Sequence, residues 1–204
     1  MGELVRLQEI DQFKKIIRVP KEAVTSEILN NVRMLNERSE LEPMLRGILG
    51  DPTETPHGPT EIADILTNKI ILRGKPTNTA FVLKGKSFKQ VQSAGVSHQF
   101  VRLRQLPGLG LIILVAVGNI QDDAKRDFFQ VAEDGDYDYL IIEALDCARL
   151  LLAYKKICQY DGTPYGPEGE CRQGHKQDKG VELKIRVEEG LHFEKHKISD
   201  LSHS

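Results

Sequence analysis

The sequence predicts an α/β domain, and three observations predict it. From residue 95 to 157 helix-like and strand-like segments alternate, so a sheet should form with helices packed on it. The run LGLIILVAVG at 109–118 is apolar throughout, as a strand buried on both faces must be. TAFVLKG follows the turn-forming KPTN at 75–78, which is how the returning arm of a hairpin reads.

Taken in order, residues 3–19 read as a short helix ended by Pro20. From Thr25 to Leu49, apolar residues including Ile28, Val32, Leu35, Leu41, Leu45 and Leu49 recur at the three-to-four spacing of an amphipathic helix. Thr25 or Ser26 can cap its start and Gly50 can end it, and Pro43 predicts a kink or break near Leu41. GDPTETPHGPT at 50–60 is a loop by its Gly and Pro content. EIADILTNKIILRG reads as one bent strand or two short ones, then comes the KPTN turn and TAFVLKG.

Within 91–106, Val96, Phe100 and Leu103 lie about a helical turn apart. DDAKRDFFQVAED is a helix capped by Asp122 or Asp123, YDYLIIEA a strand, and LDCARLLLAYKKI a final helix. Beyond Cys158 the chain turns glycine-rich, which predicts a long loop or small subdomain. The expected organisation is a helical extension over 1–24, an α/β core over 25–157 and a Gly-rich tail over 158–204.

Composition bounds the function classes. Hydrophobic residues at 40% and charged residues at 28% suit a folded domain with a core of normal size. A formal net charge of -2 gives no global pull toward nucleic acid, so phosphate binding needs a local basic patch. Three cysteines without disulfide spacing predict a reducing compartment. The opening MGELVRLQEIDQFKK has no apolar signal region, and the 109–118 run is too short to span a bilayer. The expectation is a cytoplasmic protein without a membrane partner. GLGLIILVAVGNI lacks the glycine spacing of a dinucleotide fingerprint, and the Gly-Lys-Ser at 85–87 lacks the first glycine of a P-loop.

The order helix, hairpin, helix, buried strand, helix, strand, helix is that of a restriction-endonuclease-like core. Over residues 40–157 the chain resembles the Mrr-like branch of the PD-(D/E)xK nucleases. The resemblance lies in a strand ending in FVLKG, a helix, the strand LIILVAVGNI, the helix DDAKRDFFQVA, and YLIIEALDCARLLLAY. It implies a metal-dependent endonuclease of restriction or defence type, acting on DNA. In such enzymes acidic groups hold Mg2+ or Mn2+, which polarises the phosphate and acidifies a bound water, and a lysine attends that water. By motif, Lys84 fits the lysine and Asp64 the first acid. The second acid should stand two residues before the lysine, where this chain has Val82. Glu61, three residues before Asp64, or Glu42 or Glu40 on the first long helix would then complete the metal set. The alternative is a catalytically decayed nuclease-fold domain that binds DNA or a protein partner.

Lysines and arginines gather around the hairpin: Lys69, Arg73, Lys75, Lys84, Lys86 and Lys89, followed by Arg102 and Arg104. That is a phosphate-tracking pattern, and Lys86, Lys89, Gln99 and Arg102 are its candidate DNA contacts. Plain readings stand beside these. Lys84 can guard a strand end, Asp64 can cap a turn or pair with Lys69 or Lys84, and Gln99 and Arg102 can line a solvated helix face. In the tail, Cys158, Cys171 and His175 have donor types that suit Zn2+, with His192 or His196 as fourth ligand, while free structural cysteines explain the same residues. Cutting both strands would call for a homodimer, or for a separate motor or specificity subunit.

Overall fold

The computed structural model describes residues 2–51, 63–166 and 169–170. In chain order its elements are α1 (Ser26–Val32), α2 (Glu42–Leu49), β1 (Ile65–Leu72), β2 (Lys75–Lys84), β3 (Gln90–Val91), α3 (Ser97–Leu103), β4 (Leu111–Ala116), β5 (Asn119–Ile120), α4 (Asp122–Gly135), β6 (Asp138–Ile142) and α5 (Ala144–Ala153). The main sheet has the order β1-β2-β4-β6. β1 runs antiparallel to β2, whereas β2, β4 and β6 are parallel neighbours. Parallel neighbours need crossovers, and α3 and α4 supply them. The α/β expectation holds in this mixed sheet, and β3 with β5 forms a separate short parallel pair.

Burial along β2 and β4 follows the period of two that a strand imposes. Phe81, Leu83, Ile113 and Val115 face one core with α1, α2 and α5. Ala80, Val82, Ile112 and Leu114 face another, with Phe100 and Leu103 of α3 and Phe128 and Val131 of α4. Each large apolar side chain so covered contributes roughly 1.5–3 kcal/mol, which is why β4 carries no polar residue.

The hairpin turn falls earlier than its sequence suggests. Leu72 pairs with Lys75, so Arg73 and Gly74 alone make the turn, and KPTN begins β2 instead. Both turn residues have positive φ, 50° and 77°, which matches the twist of a two-residue hairpin and makes glycine the natural choice at 74. β4 joins β2 only from Thr79 onward, so Pro76 spoils no bond with it. Of the two expected forms, one bent strand or two short ones, β1 takes the first, and its register shifts between Thr67 and Ile70.

The long N-terminal helix divides sooner than Pro43 predicts. α1 starts with Thr25 accepting from the Ile28 N–H, as expected, but ends at Val32. Asn36 then accepts from the Arg38 and Ser39 amides and opens a new turn, Glu37–Leu41, that runs into α2. Pro43 sits in the first turn of α2, where its missing N–H costs little, and Gly50 closes that helix with φ 66°. At α4 the N-cap is Gln121, one residue before Asp122. Asp123 instead accepts from the Ser93 and Ala124 amides.

The helix expected over 3–19 takes 3-10 form, Leu7–Glu9 and Asp11–Arg18, and the segment also lies along the sheet's boundary. Leu4 bridges to Tyr139 on β6 and Ile10 to Leu72 on β1, so one strap reaches both edge strands. The Gln12 amide accepts from the Ile71 N–H at 3.0 Å and donates to the Lys69 carbonyl at 2.5 Å, imitating a neighbouring strand. Covered edges do not recruit other chains. At the other end of the chain, Cys158 donates through its N–H to Thr163, and Asn31 of α1 donates to the Asp161 carbonyl, so residues 158–163 close over α1.

Candidate active site at the open end of the hairpin

β2 places every second side chain on the α3 side, so Ala80 and Val82 are followed there by Lys84. Asp64 immediately precedes β1, and its N–H donates to the Phe81 carbonyl at 2.9 Å. Its Oδ2 accepts from the Leu83 N–H at 2.6 Å. The hairpin therefore brings Asp64 and Lys84 together although a strand, a turn and a second strand separate them in sequence. Both are nearly enclosed, Asp64 at 3% and Lys84 at 4% exposure.

Gln99 joins them. On α3 it lies beside Phe100, one turn after Val96, along the edge of the helix face that meets the sheet. Lys84 Nζ donates to Gln99 Oε1 at 2.6 Å, and Gln99 Nε2 donates to Asp64 Oδ2 at 3.2 Å and Oδ1 at 3.4 Å. The Lys84 ammonium also stands 4.9 Å from the centre of the Phe88 ring. Burying charge is costly unless it is hydrogen-bonded, and here a neutral amide serves a cation and an anion at once.

α2 approaches Asp64 with a second pair of buried charges. Arg46 Nε donates to Glu42 Oε1 at 2.8 Å, and Arg46 Nη2 donates to the Asp64 carbonyl at 3.2 Å. The Glu42 carboxylate thus lies one guanidinium's width from the Asp64 main chain, and is already neutralised. Glu40 is engaged elsewhere, accepting from the Asn36 N–H at 2.6 Å. Glu37 approaches instead: its Oε2 accepts from the Gly85 N–H at 3.2 Å. A Cβ at Gly85 would lie 2.4 Å from the Glu37 nitrogen, so only glycine fits between the two lysines.

The lysines and arginines of the cluster do not lie together. Lys86 and Lys89 are exposed near Lys84, and Arg102 is half-buried on α3. Arg73 and Lys75 lie at the turn, the opposite end of β2. Arg73 is ion-paired there with Glu9 at 2.7 Å and Glu3 at 2.8 Å. Arg104 pairs with Asp134 at 3.0 Å. Lys86 and Lys89 follow Lys84 closely in the chain, and Arg102 lies about one turn after Gln99 on α3.

Among the described residues no three His, Cys, Asp or Glu side chains gather as a metal-holding set. Mg2+ is commonly held by one or two carboxylates plus substrate phosphate and water, and Asp64 is the oxygen donor here of the hard type that such a cation takes. Glu61 lies outside the described residues, as do Cys171, His175, His192 and His196 of the zinc alternative. Cys158 is buried, and so is Cys147, whose thiol burial pushes up to about 12.

The pair of hydrogen-bonded partners on Gln99, the Arg46 bridge and the Glu37 contact are not foreseeable from the motifs. The spacing of Val96, Gln99 and Leu103 does carry a signal for the first, since it sets an amide on a sheet-facing edge. No family model, no curated protein and no solved structure matches the chain. No helix among the described residues is long and apolar enough to cross a membrane.

Proposed function

We propose that the chain is a metal-dependent endonuclease, of restriction or defence type and Mrr-like in kind, that hydrolyses DNA phosphodiester bonds. The observation that carries this reading is the buried Asp64 carboxylate held beside the buried Lys84 ammonium through Gln99. Asp64 would hold Mg2+ or Mn2+, with Glu61 or Glu42 as further acid. When bound, the cation supplies phosphate polarisation and an acidified water. Lys84 has donors beyond the one given to Gln99, enough to orient a water or a phosphate oxygen. Exposed Lys86 and Lys89, with Arg102, would follow the backbone. Cutting both strands would use a homodimer or a separate motor or specificity subunit, in the cytoplasm.

Supercoiled plasmid titrated with Mg2+ and Mn2+ tests this. Nicking that needs the cation and vanishes in both Asp64→Asn and Lys84→Ala is the expected result; nicking that survives either change sinks it.

Binding without cutting is favoured by one pair of observations. Val82 is fully buried in the apolar core, and Glu42 is neutralised by Arg46. A chain that shifts DNA mobility yet never nicks it would be this decayed form.

A further inference from the structure

β6, the far edge of the main sheet, is covered for only part of its length. A strand turns the backbone groups of successive residues to opposite sides, so Asp138, Leu140 and Ile142 address β4 while Tyr139 and Ile141 address the outer edge. The strap takes up Tyr139: its N–H donates to the Glu3 carbonyl at 3.0 Å and its carbonyl accepts from the Val5 N–H at 2.8 Å. From Leu7 the strap coils into its first 3-10 turn, and among the described residues nothing bonds the N–H or carbonyl of Ile141. Open backbone groups on an edge are a template for another extended chain.

A groove of about 480 Å3 opens beside Ile141. Val5, Leu7, Ile16 and Leu140 give it an apolar lining, to which Leu4 and Ile17 add side chains that are 61% and 71% exposed. Apolar surface gathered in this way marks a binding site, where a single exposed residue does not. The charges of the groove are one-sided. Arg6, Lys21 and Arg149 face a single carboxylate, Asp146, which Arg149 already holds at 2.7 Å. Arg6 and Lys21 are exposed and make no ion pair among the described residues. No aromatic ring lines the groove, so a nucleic acid finds charge there but no stacking platform.

We propose that this groove is where a partner protein docks an extended, acidic segment as a further strand on β6. The segment's main chain bonds Ile141 beyond the strap, its apolar side chains cover Leu4 and Ile17, and its carboxylates meet Arg6 and Lys21. β1, which Asp64 precedes, is the opposite edge of the sheet, so an occupied groove leaves Asp64 and Lys84 open. The chemistry of the groove is independent of the nuclease reading.

Fluorescence anisotropy tests this on the full chain with two dye-labelled synthetic peptides, one of alternating glutamate and valine, the other of alternating lysine and valine. Wild type should bind the acidic peptide and not the basic one. Ile17→Asp, and separately the double variant Arg6→Glu with Lys21→Glu, should each weaken the acidic peptide by about tenfold. The double variant should take up the basic peptide instead, which a loss of fold could not produce. Amide hydrogen exchange at Ile141 should slow when the acidic peptide is bound. Wild type that binds neither peptide, an affinity unmoved in these variants, or exchange at Ile141 unmoved by the bound peptide each overturns the proposal. A chain that self-associates in sedimentation and becomes monomeric as Ile17→Asp would assign the groove to a second copy, and an oligonucleotide that displaces the acidic peptide would assign it to nucleic acid; either result also overturns it.

Discussion

The Leu83 N–H donates to Asp64 Oδ2 at 2.6 Å while the Asp64 N–H donates to the Phe81 carbonyl at 2.9 Å. A side-chain oxygen thus continues the β1–β2 ladder past the end of β1. Charge-assisted bonds of this kind contribute roughly 1.5–3 kcal/mol, so Asp64→Ala should unfold at lower urea by about that amount. Asp64→Asn retains one acceptor and should lose less. Equal urea midpoints for the wild type and Asp64→Ala would show the bond to be dispensable.

Lys84 carries both charge and packing. Lys84→Met keeps an unbranched stem beside Phe88 but leaves the buried Asp64 carboxylate without its cation, and removing one partner of a buried charge pair costs about 3–5 kcal/mol. Lys84→Met should therefore show a lower urea midpoint than wild type and fail to nick plasmid. Nicking retained in that variant would separate Lys84 from catalysis.

Gly85→Ala should destabilise the chain, because the added methyl meets the Glu37 backbone at 2.4–2.8 Å. Overpacking of that kind costs about 1–3 kcal/mol, read as a lower urea midpoint at unchanged slope. An unchanged midpoint would mean that the 35–37 segment yields without cost.

The hairpin turn gives a pH dependence. A hydrogen bond from the Arg6 backbone, and then one from Arg73, hold the Glu9 carboxyl below its ordinary value. The Arg73 guanidinium is raised in turn, by its bonds to Glu9 and Glu3. A depressed carboxyl stabilises the fold above its unfolded pKa, and the contribution is lost as pH falls through the folded value. Arg73 is exposed and Glu9 half-buried, so the effect should be small and shrink in salt. Thermal melts of wild type and Arg73→Gln should converge as acid is added below the usual carboxylate range; a difference that widens in acid would contradict this.

Cys147 should resist modification. Its thiol, pushed up to about 12 by burial, carries almost no thiolate at neutral pH. Mass spectrometry after brief treatment with a thiol reagent should find Cys147 unlabelled in the native chain and labelled in urea. Native labelling would show local opening of α5.

The alternation of helix and strand, the two-sided burial of β4 and the α-helical faces are legible in the sequence because each is written in local periodicity. Asp64 and Lys84 stand out only through the resemblance of their motifs to a nuclease pattern. The turn moved from KPTN to Arg73-Gly74 because hairpin twist selects two positive-φ residues, a matter of pairing between strands. Residues 3–18 became a strap since the edges they cover exist only once the sheet has formed. Gln99 meets Asp64 and Lys84 only when α3 crosses back over the hairpin, and Glu42 is neutralised only because α2 turns Arg46 inward. Tertiary structure decided these partners because a buried charge must find its hydrogen bonds among whatever groups the packing brings within reach.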